Sequence, residues 1–157
     1  MTETEGYHIR KATAKEIPEL VMLRREMFEA MGFSDSSIVD QLAEASTRYF
    51  KRTIPKGDFR AWVAEADGMV VASIGLVIHD IPPTPQNLLG KEGYIMNLVT
   101  RPPWRRRGIG AALLQIVLDT LQVEGIPLAS LHATPGGQGI YAVAGFKPSN
   151  EMIHFFK

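Results

Sequence analysis

Three consecutive arginines, Arg105, Arg106 and Arg107, run directly into Gly108-Ile109-Gly110-Ala111. Guanidinium groups carry charge and forked donors suited to phosphate oxygens. Glycines lack the side chains that would hold a ligand's oxygens away from the backbone, and they tolerate the positive φ of a tight loop. The run sits between a hydrophobic strand pattern over residues 94–100 and a long amphipathic helix pattern that opens at Ile109. The first amides of a helix have no partner inside it and point outward, so helix start and loop together form an anion site. A strand, a basic glycine loop and a helix make a pyrophosphate cradle. The bland alternative is a strand-to-helix turn with a solvated basic run, but the loop lies in the context that the cradle requires.

Two better-known cradles do not fit. The string GxxxxGK[ST] is absent, and position 113 is Leu where a dinucleotide fingerprint needs glycine. A second residue with chemical potential is Arg24, which falls in the apolar stripe of the first helix between Leu20, Val21 and Phe28. A buried guanidinium needs a partner; a structural ion pair or a snorkelling stem would be the plain account.

The elements that must position these residues can be read in order. Residues 7–12 read as a first strand. Thr13 caps a helix, with Glu16 as its capping-box partner, and the helix ends near Gly32. Ser34 to Ser37 offer caps for a second helix, closed by Pro55 and Gly57. Residues 59–66 and 69–78 read as a hairpin around Asp67-Gly68. Residues 81–91, with three prolines, read as a loop. Residues 93–100 read as the next strand. The following helix presents Ile109, Ala112, Leu113, Ile116, Val117, Thr120 and Leu121 on one face and stops at Gly125 and Pro127. Residues 127–133 read as a strand, a short helix follows, and residues 152–156 read as a final strand.

At 157 residues the chain is long enough for one domain, spanning 1–157, with a real core. Hydrophobic residues make up 45%, as in soluble globular proteins. The formal net charge is +0, so no nucleic-acid or membrane partner is expected, and the arginine cluster is a local exception. There are no cysteines, which excludes disulfides, thiolate catalysis and Cys-based zinc sites. The four histidines show no metal-ligand spacing, and no metal is expected. No apolar run approaches a membrane span, and the polar start Met-Thr-Glu-Thr-Glu is unlike a signal peptide, so a cytoplasmic location is expected.

The string Arg105-x-x-Gly108-x-Gly110, with Pro102 three residues before the arginine, resembles the acyl-CoA loop of the GNAT superfamily of N-acetyltransferases. The segment 134–146, which carries Tyr141 and ends in Gly145-Phe146, is similar to that family's final helix, and residues 150–156 resemble its last strand. Residues 7–13 and the helix after them resemble its opening. The likeness is specific over residues 94–146 and generic before them.

This resemblance implies an α/β (α+β) fold: a GNAT-like mixed, mostly antiparallel central sheet of six to seven strands, helices on both faces, and a splay at the acyl-CoA site. It implies acetyl-CoA as co-substrate and transfer of an acetyl group to a primary amine of a small molecule or peptide, by direct attack in a ternary complex. Backbone groups of Leu98, Val99 and Thr100 would meet the pantetheine arm. Amides from Arg106 through Gly108, Ile109 and Gly110 to Ala111 would hold the pyrophosphate, with Arg105 as the motif arginine. Arg106 and Arg107 either reach the adenosine phosphate or lie in solvent. Tyr141 matches the general acid; a phenol with a pKa near 10 can protonate a leaving thiolate. Thr134 stands where many members carry an Asn that bonds the pantetheine. Glu92 is the leading candidate for the base that neutralises the amine, ahead of His79 and His132. The first helix borders the acceptor pocket in this family, so Arg24 becomes a candidate clamp for a substrate carboxylate. Dimers are common among proteins of this kind, which makes a homodimer an expectation. The alternative is a non-catalytic acyl-CoA-binding or sensing module of the same fold.

Overall fold

The computed structural model describes residues 2–4 and 6–157. One sheet organises them. Its strands are β1 (Thr2–Thr4), β2 (Tyr7–Lys11), β3 (Phe59–Ala66), β4 (Met69–Asp80), β5 (Lys91–Thr100) and β6 (Ala129–Leu131), and they lie side by side in chain order. Every neighbouring pair is antiparallel except β5 and β6, which run parallel. Four helices complete the fold: α1 (Ile17–Ala30), α2 (Ser36–Thr53), α3 (Ile109–Val123) and α4 (Gln138–Val143).

Local chemistry sets most boundaries. The Thr13 hydroxyl accepts from the Lys15 amide at 3.2 Å, while the Glu16 carboxylate accepts from the Thr13 amide at 2.7 Å, closing the expected capping box. Within the predicted cap region of α2, Asp35 takes the part, accepting from the amides of Ser37 and Ile38. Asp67 and Gly68 both adopt positive φ, as a two-residue hairpin turn between right-twisted strands demands.

The helices bury the two faces of the sheet separately. On one face Ile109, Leu113, Leu114, Val117 and Leu121 of α3 pack on Ile74, Leu76 and Ile95. On the other, Ile17, Leu20 and Leu23 of α1 and Phe50 of α2 pack on Phe59, Ala61 and Val63. Leu23 is fully buried and Met31 is exposed, so the α1 stripe follows Ile17, Leu20 and Leu23, and Arg24 borders it rather than filling its centre. Gly93 has a packing purpose: a Cβ there would meet both methyls of Leu121 at 2.7 Å.

Two features of β5 shape the site. Its parallel ladder with β6 has three rungs, Gly93 with Ala129 through Ile95 with Leu131, and then β6 offers it no further partner. Its antiparallel ladder with β4 slips between Ser73–Val99 and Gly75–Met96, where β5 carries one extra residue. Asn97 sits in this bulge with φ at 56°.

The expected final strand at 152–156 does not form. Residues 146–157 carry no regular structure, and Met152, Phe155 and Phe156 are exposed. The strand expected over 127–133 is reduced to the three residues of β6. That is a short edge for another strand to pair with, and Pro148 interrupts the approach to it. The sheet therefore does not match the expected six to seven strands as they were drawn: five of those strands form, β2 to β6, the final one is missing, and three-residue β1 is added at the far edge. No helix among the described residues is long and apolar enough to cross a membrane.

Candidate active site

The basic glycine loop leaves the end of β5 through a short turn at Pro102–Trp104. Arg105 turns back, and its Nε donates to the Thr100 carbonyl at 3.0 Å, which ties the loop to the strand it left. The guanidinium of Arg107, an exposed residue, lies over the Trp104 ring at 4.5 Å. Arg106 and Gly108 both have positive φ, 63° and 78°, and Gly108 caps α3. The first bond of the helix runs from the Ala112 amide to the Gly108 carbonyl at 3.0 Å. The amides of Ile109, Gly110 and Ala111 precede it and have no intrahelical acceptor. Around the missing Cβ of Gly108 nothing lies within 4 Å. Outward amides with guanidinium groups in the same loop are the arrangement that favours an anion at a helix start.

Tyr141 is brought to the same end of the molecule. A Cβ on Gly110 would stand 3.5 Å from Cδ1 of Ile140, so α4 rests on the first turn of α3. The Tyr141 ring lies against Gly137, where a Cβ would meet Cε2 at 3.0 Å and the Thr134 hydroxyl at 3.5 Å. Thr134 and Tyr141 thus flank one glycine. Phe146 meets the ring edge-on at 6.0 Å between centroids, and its backbone N–H donates to the Tyr141 carbonyl at 3.0 Å. Burial raises the pKa of this phenol above its ordinary 10.0, so it carries its proton at neutral pH.

The opposite face of β5 carries the remaining candidates. The Tyr94 hydroxyl hydrogen-bonds Nδ1 of His132, just beyond the end of β6. His79 stacks on the Tyr94 ring at 5.6 Å, and its Nδ1 is 3.5 Å from the Glu92 carboxylate. Nε2 of His132 stands 3.8 Å from Glu151. Burial, and secondarily the charge of Glu151, raises the Tyr94 pKa. The structure therefore joins Glu92, His79 and His132, which the sequence offered as separate base candidates, through a tyrosine that the sequence reading passed over. Its signal was present: Tyr94 follows Glu92 by two residues and must share its face of the strand.

Arg24 reaches the bulge on this same face. Its Nε donates to the Asn97 side-chain carbonyl at 3.2 Å, its Nη1 to the Ser46 hydroxyl at 3.1 Å, and its guanidinium lies 4.9 Å from the Phe28 ring. Neither Asn97 nor Ser46 was singled out in the sequence. Asn97 could have been, as a polar residue that tolerates left-handed backbone inside a hydrophobic strand. Two shallow surface hollows, one beside Tyr7 and Asp67 and one along Gln41 and Arg48, lie apart from these groups.

The fold itself is shared with known structures. A GCN5-related N-acetyltransferase from Ralstonia eutropha JMP134 is 32% identical over 96% of this chain and 99% of its own, with a TM-score of 0.89. A predicted acetyltransferase with acetyl-CoA from Clostridium acetobutylicum is 28% identical over 96% of each chain, with a TM-score of 0.84. Glucosamine-6-phosphate N-acetyltransferase from Arabidopsis thaliana shares the fold at a TM-score of 0.73 and 20% identity, covering 98% of this chain and 100% of its own. No curated protein matches the sequence. The model of the acetyltransferase (GNAT) family matches residues 20–146, which include the glycine loop, the bulged strand and Tyr141, and this chain belongs to that family.

Proposed function

We propose that this protein transfers an acetyl group from acetyl-CoA to a primary amine by direct attack in a ternary complex. The observation that carries this is the contact of Ile140 with Gly110, which seats the helix that carries Tyr141 on the first turn of α3, where the glycine loop opens. Amides from Arg106 to Ala111 would hold the pyrophosphate, with Arg105 bracing the loop. Leu98, Val99 and Thr100, past the last rung of β6, would offer backbone groups to the pantetheine arm, and Thr134 a hydroxyl. An amide near Leu98 or Val99 would stabilise the oxyanion.

The amine nitrogen bonds to the acetyl carbon and the carbon–sulfur bond breaks. Tyr141 donates its proton to the departing sulfur and regains one from solvent. The proton that the amine must lose leaves on the opposite face of β5, where Glu92 acts together with His79, Tyr94 and His132.

The test is calorimetric titration with acetyl-CoA, with ATP and NAD as controls, followed by thiol release with a panel of primary amines. Selective binding of acetyl-CoA and amine-dependent thiol release are expected. Binding without thiol release from any amine would instead support a sensing module. No binding would overturn both. We also propose a homodimer, supported by the exposed apolar side chains of residues 152–156 and by the outer edge of β6, which has no strand partner among the described residues.

A further inference from the structure

Three neighbouring arginines differ in how they are neutralised. Arg25 pairs with Asp40 at 2.9 Å and Glu29 at 3.7 Å. Arg101 pairs with Glu26 at 3.2 Å. Arg24, the residue before Arg25 on α1, has no carboxylate within ion-pair distance among the described residues. Its bonds go to two neutral acceptors, the Asn97 carbonyl and the Ser46 hydroxyl. Ser46 is buried, and burial lowers the Arg24 pKa, which marks the charge as poorly solvated. Among the described residues no buried side-chain nitrogen lacks a partner, so Nη2, which bonds to neither acceptor, reaches solvent and is open to an anion.

The neutral partners orient the group and leave donors free. A guanidinium has five N–H donors. Asn97 and Ser46 use one on Nε and one on Nη1, which leaves the second Nη1 hydrogen and both on Nη2. Asn97 is fixed by the bulge of β5, on the face that also carries Tyr94 and next to Leu98 and Val99. Arg24 is therefore tied to the strand along which the acetyl donor would lie.

We infer that Arg24, oriented by Asn97 and Ser46, binds a carboxylate on the acceptor, and that the acceptor class is amino acids and related amino-carboxylates. The inference rests on the acetyl-transfer reading above. A carboxylate brings one negative charge and two oxygens in the plane of the guanidinium fork, which matches one unpaired cation. A phosphate monoester brings about −1.5 to −2 charges at neutral pH and would need a second cation; Arg25 and Arg101 are already paired.

The test compares L-α-, β- and γ-amino acids with their carboxamides and with matching aminoalkyl phosphates, by thiol release from acetyl-CoA. The wild-type protein is expected to favour at least one amino acid over its carboxamide by about 100-fold in kcat/KM, the scale of a charge-assisted bond pair. Arg24→Gln is expected to collapse that ratio towards one, and Arg24→Lys to restore part of it. Equal use of acid and carboxamide by the wild type, a preference for the phosphates, or a ratio unchanged in Arg24→Gln would overturn the inference. Equilibrium binding of the N-acetyl amino acids and their amides is measured in parallel. If no amine is turned over, a carboxylate preference in binding that Arg24→Gln abolishes upholds the anion site while the transfer reading fails; no such preference ends both. Circular dichroism and acetyl-CoA titration of each variant separate loss of the site from loss of the fold.

Discussion

The Tyr141 ring packs on Gly137 so closely that a single Cβ there would come within 3.0 Å of Cε2. The position of the phenol is thus set by an absent side chain four residues upstream. Tyr141→Phe keeps the ring and its contact with Phe146 and removes only the hydroxyl that donates the proton. It is expected to lower kcat by about 100-fold and to change the acetyl-CoA Kd little, by rapid-quench kinetics and calorimetry. The raised pKa also predicts no alkaline loss of the acid's function below about pH 10, because Tyr141 keeps its proton until pH passes its folded pKa, above 10.0. A Kd effect larger than the kcat effect would remove Tyr141 from the chemistry.

Glu92 and Tyr94 lie on one face of β5 and are linked through His79 stacking on the Tyr94 ring. Glu92→Gln and Tyr94→Phe are each expected to lower kcat by about 10-fold or more. Both effects should shrink as pH rises and more of the amine arrives neutral. Profiles of kcat/KM against pH for the two variants check this. Unchanged profiles would leave the proton to ordered water alone.

Gly108 and Gly110 are adjacent members of one motif with opposite structural demands. Gly108 has φ at 78°, so Gly108→Ala should cost about 1–2 kcal/mol of stability whether or not ligand binds. Gly110 lies within α3, and its Cβ would make only an ordinary 3.5 Å contact with Ile140. Gly110→Ala should therefore hold or slightly raise Tm while lowering acetyl-CoA affinity about 10-fold, if the ligand approaches the backbone there. Calorimetry and thermal melts of the pair separate the two outcomes.

Arg10 bonds Glu16 and Glu65, each at 2.7 Å, and so ties the α1 capping box to β3. The Glu65 pKa is lowered first by the Arg10 hydrogen bond. For Glu16, burial pushes upward most strongly, but the bonds from Thr13 and Arg10 together bring its pKa down. Both carboxylates then contribute stability above their unfolded value near 4.5, which is lost as pH falls through their lower folded values. Arg10→Gln is expected to cost about 2 kcal/mol at pH 7 and to flatten the acid limb below pH 4.5, by denaturant titration at several pH values.

Residues 152–156 present Met152, Ile153, Phe155 and Phe156 to solvent. Sedimentation velocity should find a dimer, and the double variant Phe155→Ser with Phe156→Ser should shift it towards monomer. A monomeric wild-type protein at micromolar concentration would end the homodimer proposal.

Short-range patterns were legible without coordinates. Thr13 with Glu16, Asp67 with Gly68, and the spacing of Ile109, Leu113, Val117 and Leu121 each depend on contacts within one turn of chain, and each formed as read. The glycine loop and Tyr141 were legible for the same reason, as strings tied to one strand-to-helix junction and one helix end. The last strand was not, because the apolar run Met152, Ile153, Phe155 and Phe156 describes a strand that needs an edge to pair with, and β6 presents three residues.

The sequence by itself determined most of the element types, the turn that opens α3 and the place of Tyr141 in the last helix, since backbone propensity and helix-end chemistry act between residues a few positions apart. Only the tertiary structure decided the neighbours of Arg24 and Tyr94. Asn97 meets Arg24 across 73 residues because the β4–β5 register slips at one bulge, and Tyr94 meets His132 across 38 because β5 and β6 pair in parallel for three rungs and then part. Register is a sum of many cross-strand contacts, so no local run of residues encodes it.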